Sequence, residues 1–193
     1  MTTPAPLTLD LAIESLPLAK PFRISGHVFT DTPVVLVTLS DGTHSGRGEA
    51  SGVYYLSDDV PAMVAAIESV RGAVEAGVTR AALQTLLPAG GARNAIDCAL
   101  WELDARRSGV PVRELAGLAE PRPLRTTFTL GADDPDVMAE GARGYAQARA
   151  LKLKLTGDLD LDIARVQAVR AARPECWIGV DANPGFAIGD LDT

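Results

Sequence analysis

The chain has 193 residues, is 47% hydrophobic, and carries 18 Lys and Arg against 25 Asp and Glu, a formal net charge of −7. This balance suits one ordinary folded domain or two small ones, and the absence of any basic run argues against nucleic acid as a partner. No stretch is apolar for long enough to cross a bilayer. The opening "MTTPAPLTLDLAIESL" has neither a basic start nor an apolar signal core, so a cytoplasmic protein with no membrane association is expected.

In chain order, "LTLDLAIESL" alternates Leu7, Leu9, Leu11 and Ile13 against Thr8, Asp10 and Glu14, which predicts a half-buried strand. "PVVLVTLSDGTHSGRGEAS" predicts a second strand, a turn around Asp41 and Gly42, and a third strand ending at Glu49, together a small antiparallel sheet. The period then changes. Val60, Met63, Ile67, Val70 and Val74 step by three or four residues, with Asp59 placed to cap, Pro61 in the first turn and Gly77 as a stop. A short helical piece follows at 79–86. A deeply packed helix is then expected, with Ala95, Ile96, Ala99, Leu100 and Leu103 on one side and Gly109 and Pro111 at its end.

From about residue 123 the pattern becomes strand, helix, strand, helix, strand: "LRTTFTLG", a helix capped by Asp133 or Asp134, "ALKLKLTG", a helix over about 160–172, then "CWIGVDANPG". Such alternation predicts right-handed β-α-β units and a parallel sheet. The two regions meet near "AEPRPLR". Cys98 in a helical pattern and Cys176 opening a strand are expected to be buried free thiols rather than a disulfide, and His27 and His44 to have local roles.

"ALKLKLTGD" places Lys152 and Lys154 on one face of a strand and Leu151, Leu153 and Leu155 on the other. An antiparallel strand with a wet face explains such alternation. So does a strand in a closed barrel, one face against outer helices and the other toward the barrel axis, and the parallel order favours this second reading because parallel strands are covered on both faces. "IGVDANPG" ends the next strand with Asp181 and Asn183, where parallel α/β folds bind ligands. That pair either caps the turn or offers a carboxylate to a hard cation such as Mg²⁺. Lysines facing a carboxylate-held cation suit removal of a weakly acidic proton beside a carboxylate.

These stretches resemble the enolase superfamily, within it the muconate-lactonizing subgroup, and most closely dipeptide epimerases; the resemblance implies a Lys or His base working with Mg²⁺. The matching segments are "GRGEAS" at 46–51, "LPAGGARNAIDCALWELDARRSGVPVREL" at 87–115, "LKLKL" at 151–155 and "VDAN" at 180–183. The resemblance implies an α+β capping domain over residues 1–122, followed over 123–193 by the first three strands of a modified TIM barrel. It implies that Lys154 is the acid/base exchanging the substrate α-proton, that Lys152 sits beside the substrate carboxylate, that Asp181 is the first of three acidic Mg²⁺ ligands, and that Asn183 supports that site. Specificity loops are expected at about 20–29 and 51–58. Arg23, Tyr54, Tyr55, Thr127 and Thr129 are the substrate-contact candidates they and the first barrel strand provide, although loop exposure, core packing and strand propensity account for these residues as well. Glu49 is assigned to structure.

The sequence stops just past the third barrel strand, whereas the family continues through strands that supply the remaining acidic ligands and an opposing lysine. The expectation is therefore a portion of a Mg²⁺-dependent epimerase or racemase of dipeptides or N-acyl amino acids, either a homo-oligomer or associating through an open sheet edge. The alternatives are a cycloisomerase or o-succinylbenzoate synthase of the same subgroup, or an inactive fragment that only associates with other chains.

Overall fold

A computed structural model describes residues 6–53 and 56–190 of the chain. Contacts divide it into two compact units, one made of the described residues up to Pro17 with Asp31–Pro121, the other of Leu18–Thr30 with the residues from Arg122 onward.

The first unit is built on a three-stranded sheet in the order β1 (Thr8–Ile24), β2 (His27–Ser40), β3 (Ser45–Ala50). β2 and β3 pair antiparallel, from Val35 opposite Ala50 to Ser40 opposite Ser45. Their turn follows from local chemistry: the Asp41 carboxylate accepts from the amides of Thr43 and His44 at 2.9 and 2.7 Å, and Gly42 takes a φ of +87°. The predicted alternation in β1 holds for Leu7 and Leu9, which are buried, but Ile13 is 58% exposed. Further on, β1 and β2 outrun the first unit and continue as a hairpin, closed by Ser25 and Gly26 with the glycine at a φ of +72°. The segment expected to be a loop at 20–29 is therefore mostly strand, consistent with Phe22, Ile24, Val28 and Phe29 favouring extended backbone.

Three helices follow: α1 (Val60–Glu75), α2 (Arg80–Leu86) and α3 (Gly91–Ser108), then a single turn, α4 (Val112–Leu115), too short to announce itself by periodicity. α1 begins as the sequence predicts, with the Asp59 side chain accepting from the Ala62 amide and Pro61 in the first turn. α3 ends at Gly109, left-handed at a φ of +68°. Ala95, Ile96, Ala99, Leu100 and Leu103 are all buried in one cluster with Val35, Val37, Leu39, Met63 and Ile67. Cys98 falls off that stripe and is exposed, correcting the expectation of burial, while Cys176 is buried and both thiols are free.

"GRGEAS" acquires a steric explanation. Gly46, Gly48 and Ala50 face inward and Ser45, Arg47 and Glu49 outward. A Cβ on Gly46 would lie 2.1 Å from the Ala99 carbonyl oxygen, and one on Gly48 only 1.9 Å from that of Ala95, so α3 rests directly on the backbone of β3. The alternating glycines set the distance between helix and sheet.

The second unit contains a parallel sheet in the order β4 (Phe128–Leu130), β5 (Ala150–Lys154), β6 (Trp177–Asp181), with α5 (Pro135–Gly144) and α6 (Leu159–Ala172) in the two crossovers. Asp134 occupies the cap position of α5 without a side-chain hydrogen bond to it. Leu151 and Leu153 are fully buried among Met138 and Ala142 of α5 and Val169 of α6. This packing decides the face of β5: leucines toward the helices, lysines toward the opposite side. At the far end of the sheet, β6 leaves Trp177 and Val180 each 57% exposed.

Candidate active site

Register brings the polar side chains together. Thr129 of β4 lies beside Lys152 of β5, which lies beside Gly179 of β6, and one step further along Lys154 lies beside Asp181. Cross-strand neighbours in a parallel sheet share a face, so Thr129, Lys152, Lys154 and Asp181 project together, the last two at the carboxyl ends of their strands. Thr127 does not join them: β4 starts after it and it is exposed. Tyr54 and Tyr55 lie outside the described residues.

Both ammonium groups converge on one oxygen. Lys152 Nζ is 2.7 Å and Lys154 Nζ 2.8 Å from Asp181 Oδ2, while Asp181 Oδ1 accepts from the Asn183 amide at 2.9 Å. The Lys152 hydrogen bond foremost, then that of Lys154, then the Asn183 amide hold the Asp181 carboxyl well below the usual carboxylate range. The two lysines are not equivalent. Lys154 is the enclosed one, its side chain 14% exposed against 42% for Lys152.

Lys154 also donates to Asn183 Oδ1 at 3.1 Å. An ammonium only donates, so the amide oxygen must face it and the amide nitrogen must turn away. Asn183 Nδ2 is accordingly buried with no hydrogen-bond partner among the described residues. Asn183 sits in the left-handed region at a φ of +47°, a conformation Asn tolerates better than most residues. The loops after β5 and β6 press backbone against backbone here: a Cβ on Gly157, whose φ is +96°, would lie 1.9 Å from the Gly185 carbonyl oxygen.

The hairpin tip belongs to the same unit. The Arg23 carbonyl accepts from the Ala132 amide at 2.9 Å, the Arg23 guanidinium lies 3.7 Å from the Asp133 carboxylate, and Ser25 Oγ is 3.4 Å from the Thr156 carbonyl. Residues 23–25 thus sit on the loops that leave β4 and β5.

Asp181, ionised and at a strand end, fits as one oxygen ligand for a hard cation. It does not make a metal site by itself, because the described residues contain no group of three or more His, Cys, Asp or Glu able to hold a metal ion.

Sequence reasoning passed over Asp162 and Arg165 of α6, which are buried although charged. A signal was present. Stepping back along α6 from Val169 by helical intervals lands on them, so they occupy the stripe where apolar residues belong. No comparable signal marks Trp177, whose ring lies against Gly179 on the lysine face.

A parallel β/α array with paired lysines facing a carboxylate, preceded by an antiparallel sheet and a helical layer, is an enolase-type capping domain with part of a barrel. The chain belongs to the mandelate racemase/muconate lactonizing enzyme family, whose N-terminal domain matches residues 8–117. Among curated proteins it is 38% identical over 179 residues to the L-Ala-D/L-Glu epimerase of Escherichia coli K12, covering 93% of this chain and 56% of that one. It is 34% identical to a hydrophobic dipeptide epimerase of Roseobacter litoralis, with 88% and 52% covered. A solved enolase family member from Agrobacterium tumefaciens with homology to dipeptide epimerases, bound to sodium and L-Ala-L-Glu, superposes with a TM-score of 0.90 at 38% identity over 97% of this chain and 57% of that one. A dipeptide epimerase from Methylococcus capsulatus, complexed with Mg and L-Arg-D-Lys, gives 0.85 at 26% identity over 97% and 57%. The chain spans about half the length of the curated relatives it matches.

Proposed function

We propose that the chain forms the capping domain and first barrel strands of an isomerase that inverts the α-carbon of dipeptides or N-acyl amino acids by proton removal and return. Lys154 is the acid/base on one face of the α-carbon, removing the proton there as the neutral amine or supplying one as the ammonium. A second acid/base outside the described residues serves the opposite face, and Lys152 contacts the substrate carboxylate. The reading rests on one observation above all: two ammonium groups within 2.8 Å of a single carboxylate oxygen at the carboxyl ends of neighbouring parallel strands.

The roles follow from exposure and reach. Lys154, enclosed and oriented by Asn183 and Asp181, has few alternative rotamers and is held for proton transfer, which requires near-contact geometry. Lys152 is open enough to meet a substrate carboxylate. Thr129 lines the same face, and Arg23 is the cationic side chain that the hairpin tip offers to an acidic substrate group. A Mg²⁺ ion, with Asp181 as one ligand and others from outside the described residues, would stabilise the negative charge that proton loss leaves on the substrate. We assign the protein to the cytoplasm. The exposed edge of β6 is the surface through which this chain would meet further strands or another copy.

The test is solvent-deuterium incorporation at the α-carbon of dipeptides, followed by NMR with a full-length version of the protein. Wild type should exchange both stereoisomers, and Lys154→Ala should lose at least ~10³-fold in rate for the isomer whose α-hydrogen faces Lys154, the scale of removing a positioned acid/base. Undiminished exchange of both isomers in Lys154→Ala would exclude Lys154 as the base.

A further inference from the structure

We propose that Arg165 is a positioning residue that locks the hairpin tip and the lysine strand's loop to one another, and so sets how tightly substrate is held. This role rests on the reading of residues 23–25 and Lys154 as parts of the substrate site.

Asp162 and Arg165 are 2% and 5% exposed and pair at 2.7 Å. Burying two charges is costly and returns little net stability, so such a pair calls for an explanation beyond mutual attraction. Their remaining bonds supply one. The Asp162 carboxylate accepts from the amides of Thr156 and Gly157, at 3.1 and 2.9 Å, the residues that leave β5 just after Lys154. Arg165 donates from Nη1 to Thr156 Oγ1 at 2.8 Å and from Nε to the Asp133 carbonyl at 2.7 Å. One guanidinium therefore joins the loop after β4 to the loop after β5. The hairpin tip rests on these same two loops, through Ala132 and Asp133 on one and Thr156 on the other.

A planar fork is needed for this. Lysine could keep the charge pairing with Asp162, but a single nitrogen cannot also reach Asp133 and Thr156 in the directions that Nε and Nη1 take. Charge neutralisation and bridging are thus separable by one conservative substitution.

The experiment is site-resolved amide hydrogen exchange on Arg165→Lys, paired with steady-state kinetics of the full-length protein on a dipeptide. The Ala132 amide should exchange about tenfold faster, while the amides of Leu151 and Leu153 keep their wild-type rates. KM should rise about tenfold with kcat within about twofold, since binding geometry rather than the acid/base is disturbed. Wild-type exchange at Ala132 and wild-type KM in Arg165→Lys would show that the arginine only balances Asp162, and would overturn the proposal. Should that variant fold poorly, Thr156→Val removes one acceptor and leaves the ion pair; it should move the same two readouts in the same direction, and no movement would be equally fatal. Absence of any dipeptide activity in wild type would defeat the functional reading, whereas the exchange result bears on the bridge alone.

Discussion

Replacing Gly48 by alanine adds one methyl group at the contact between β3 and α3. That carbon would stand 1.9 Å from the Ala95 carbonyl oxygen, 2.7 Å from the Ala99 amide nitrogen and 2.9 Å from the Ala95 carbonyl carbon, all helix backbone. Ordinary contact requires about 3.5 Å, so α3 would have to retreat by roughly 1.5 Å. The retreat would loosen Ala95, Ile96, Ala99 and Leu103, each fully buried, along the length of the helix. Overpacking typically costs about 1–3 kcal/mol, and because backbone cannot rotate aside as a side chain can, a loss of about 3 kcal/mol or more is expected. Gly72 is the matched control. It lies exposed in α1 with nothing within 4 Å of an added Cβ, so Gly72→Ala should stabilise by about 1 kcal/mol through helix propensity. Urea unfolding of both variants gives the answer. Gly48→Ala within about 0.5 kcal/mol of wild type would refute the steric account of "GRGEAS".

The remaining predictions concern stability. Leu103→Ala, at a fully buried position, should cost about 3 kcal/mol in the same unfolding assay. Asp59→Ala removes the side-chain cap of α1 and should cost about 1 kcal/mol, with Asp59→Ser restoring most of it. The Asp41 carboxyl is held well below the usual range by the His44 amide, then by Arg107 and the Thr43 amide. Its contribution is therefore present above the unfolded carboxylate value and is lost as pH falls through the folded one. Between about pH 5 and 2, Asp41→Asn should lose less stability than wild type, as read from urea midpoints across that range.

Much of this fold could be read from the residues because local and tertiary demands agree. In α1 the cap, the proline, the stripe and the stop all point to the same boundaries, and the structure places Asp59, Pro61 and Gly77 accordingly. The β-α-β order likewise fixed which face of β5 holds Lys152 and Lys154, since leucines that meet two helices leave no other choice. The hairpin was harder. "KPFRISGH" carries loop-like polar residues, and only its position between two strands that pair across the sheet shows it to be extended. Thr127 was misplaced because strand propensity continues through "TTFTL" while the ladder starts only at Phe128. The bridge built by Arg165 was hidden by its charge, since composition treats an arginine as surface until the helical period says otherwise.

The contact between Gly157 and Gly185 carries a practical consequence for anyone wishing to alter the lysine face of the sheet. With no room for even one carbon, a side chain at position 157 would act as a wedge between the loops that follow Lys154 and Asp181. Substitutions meant to leave the lysine face intact should therefore hold both glycines constant.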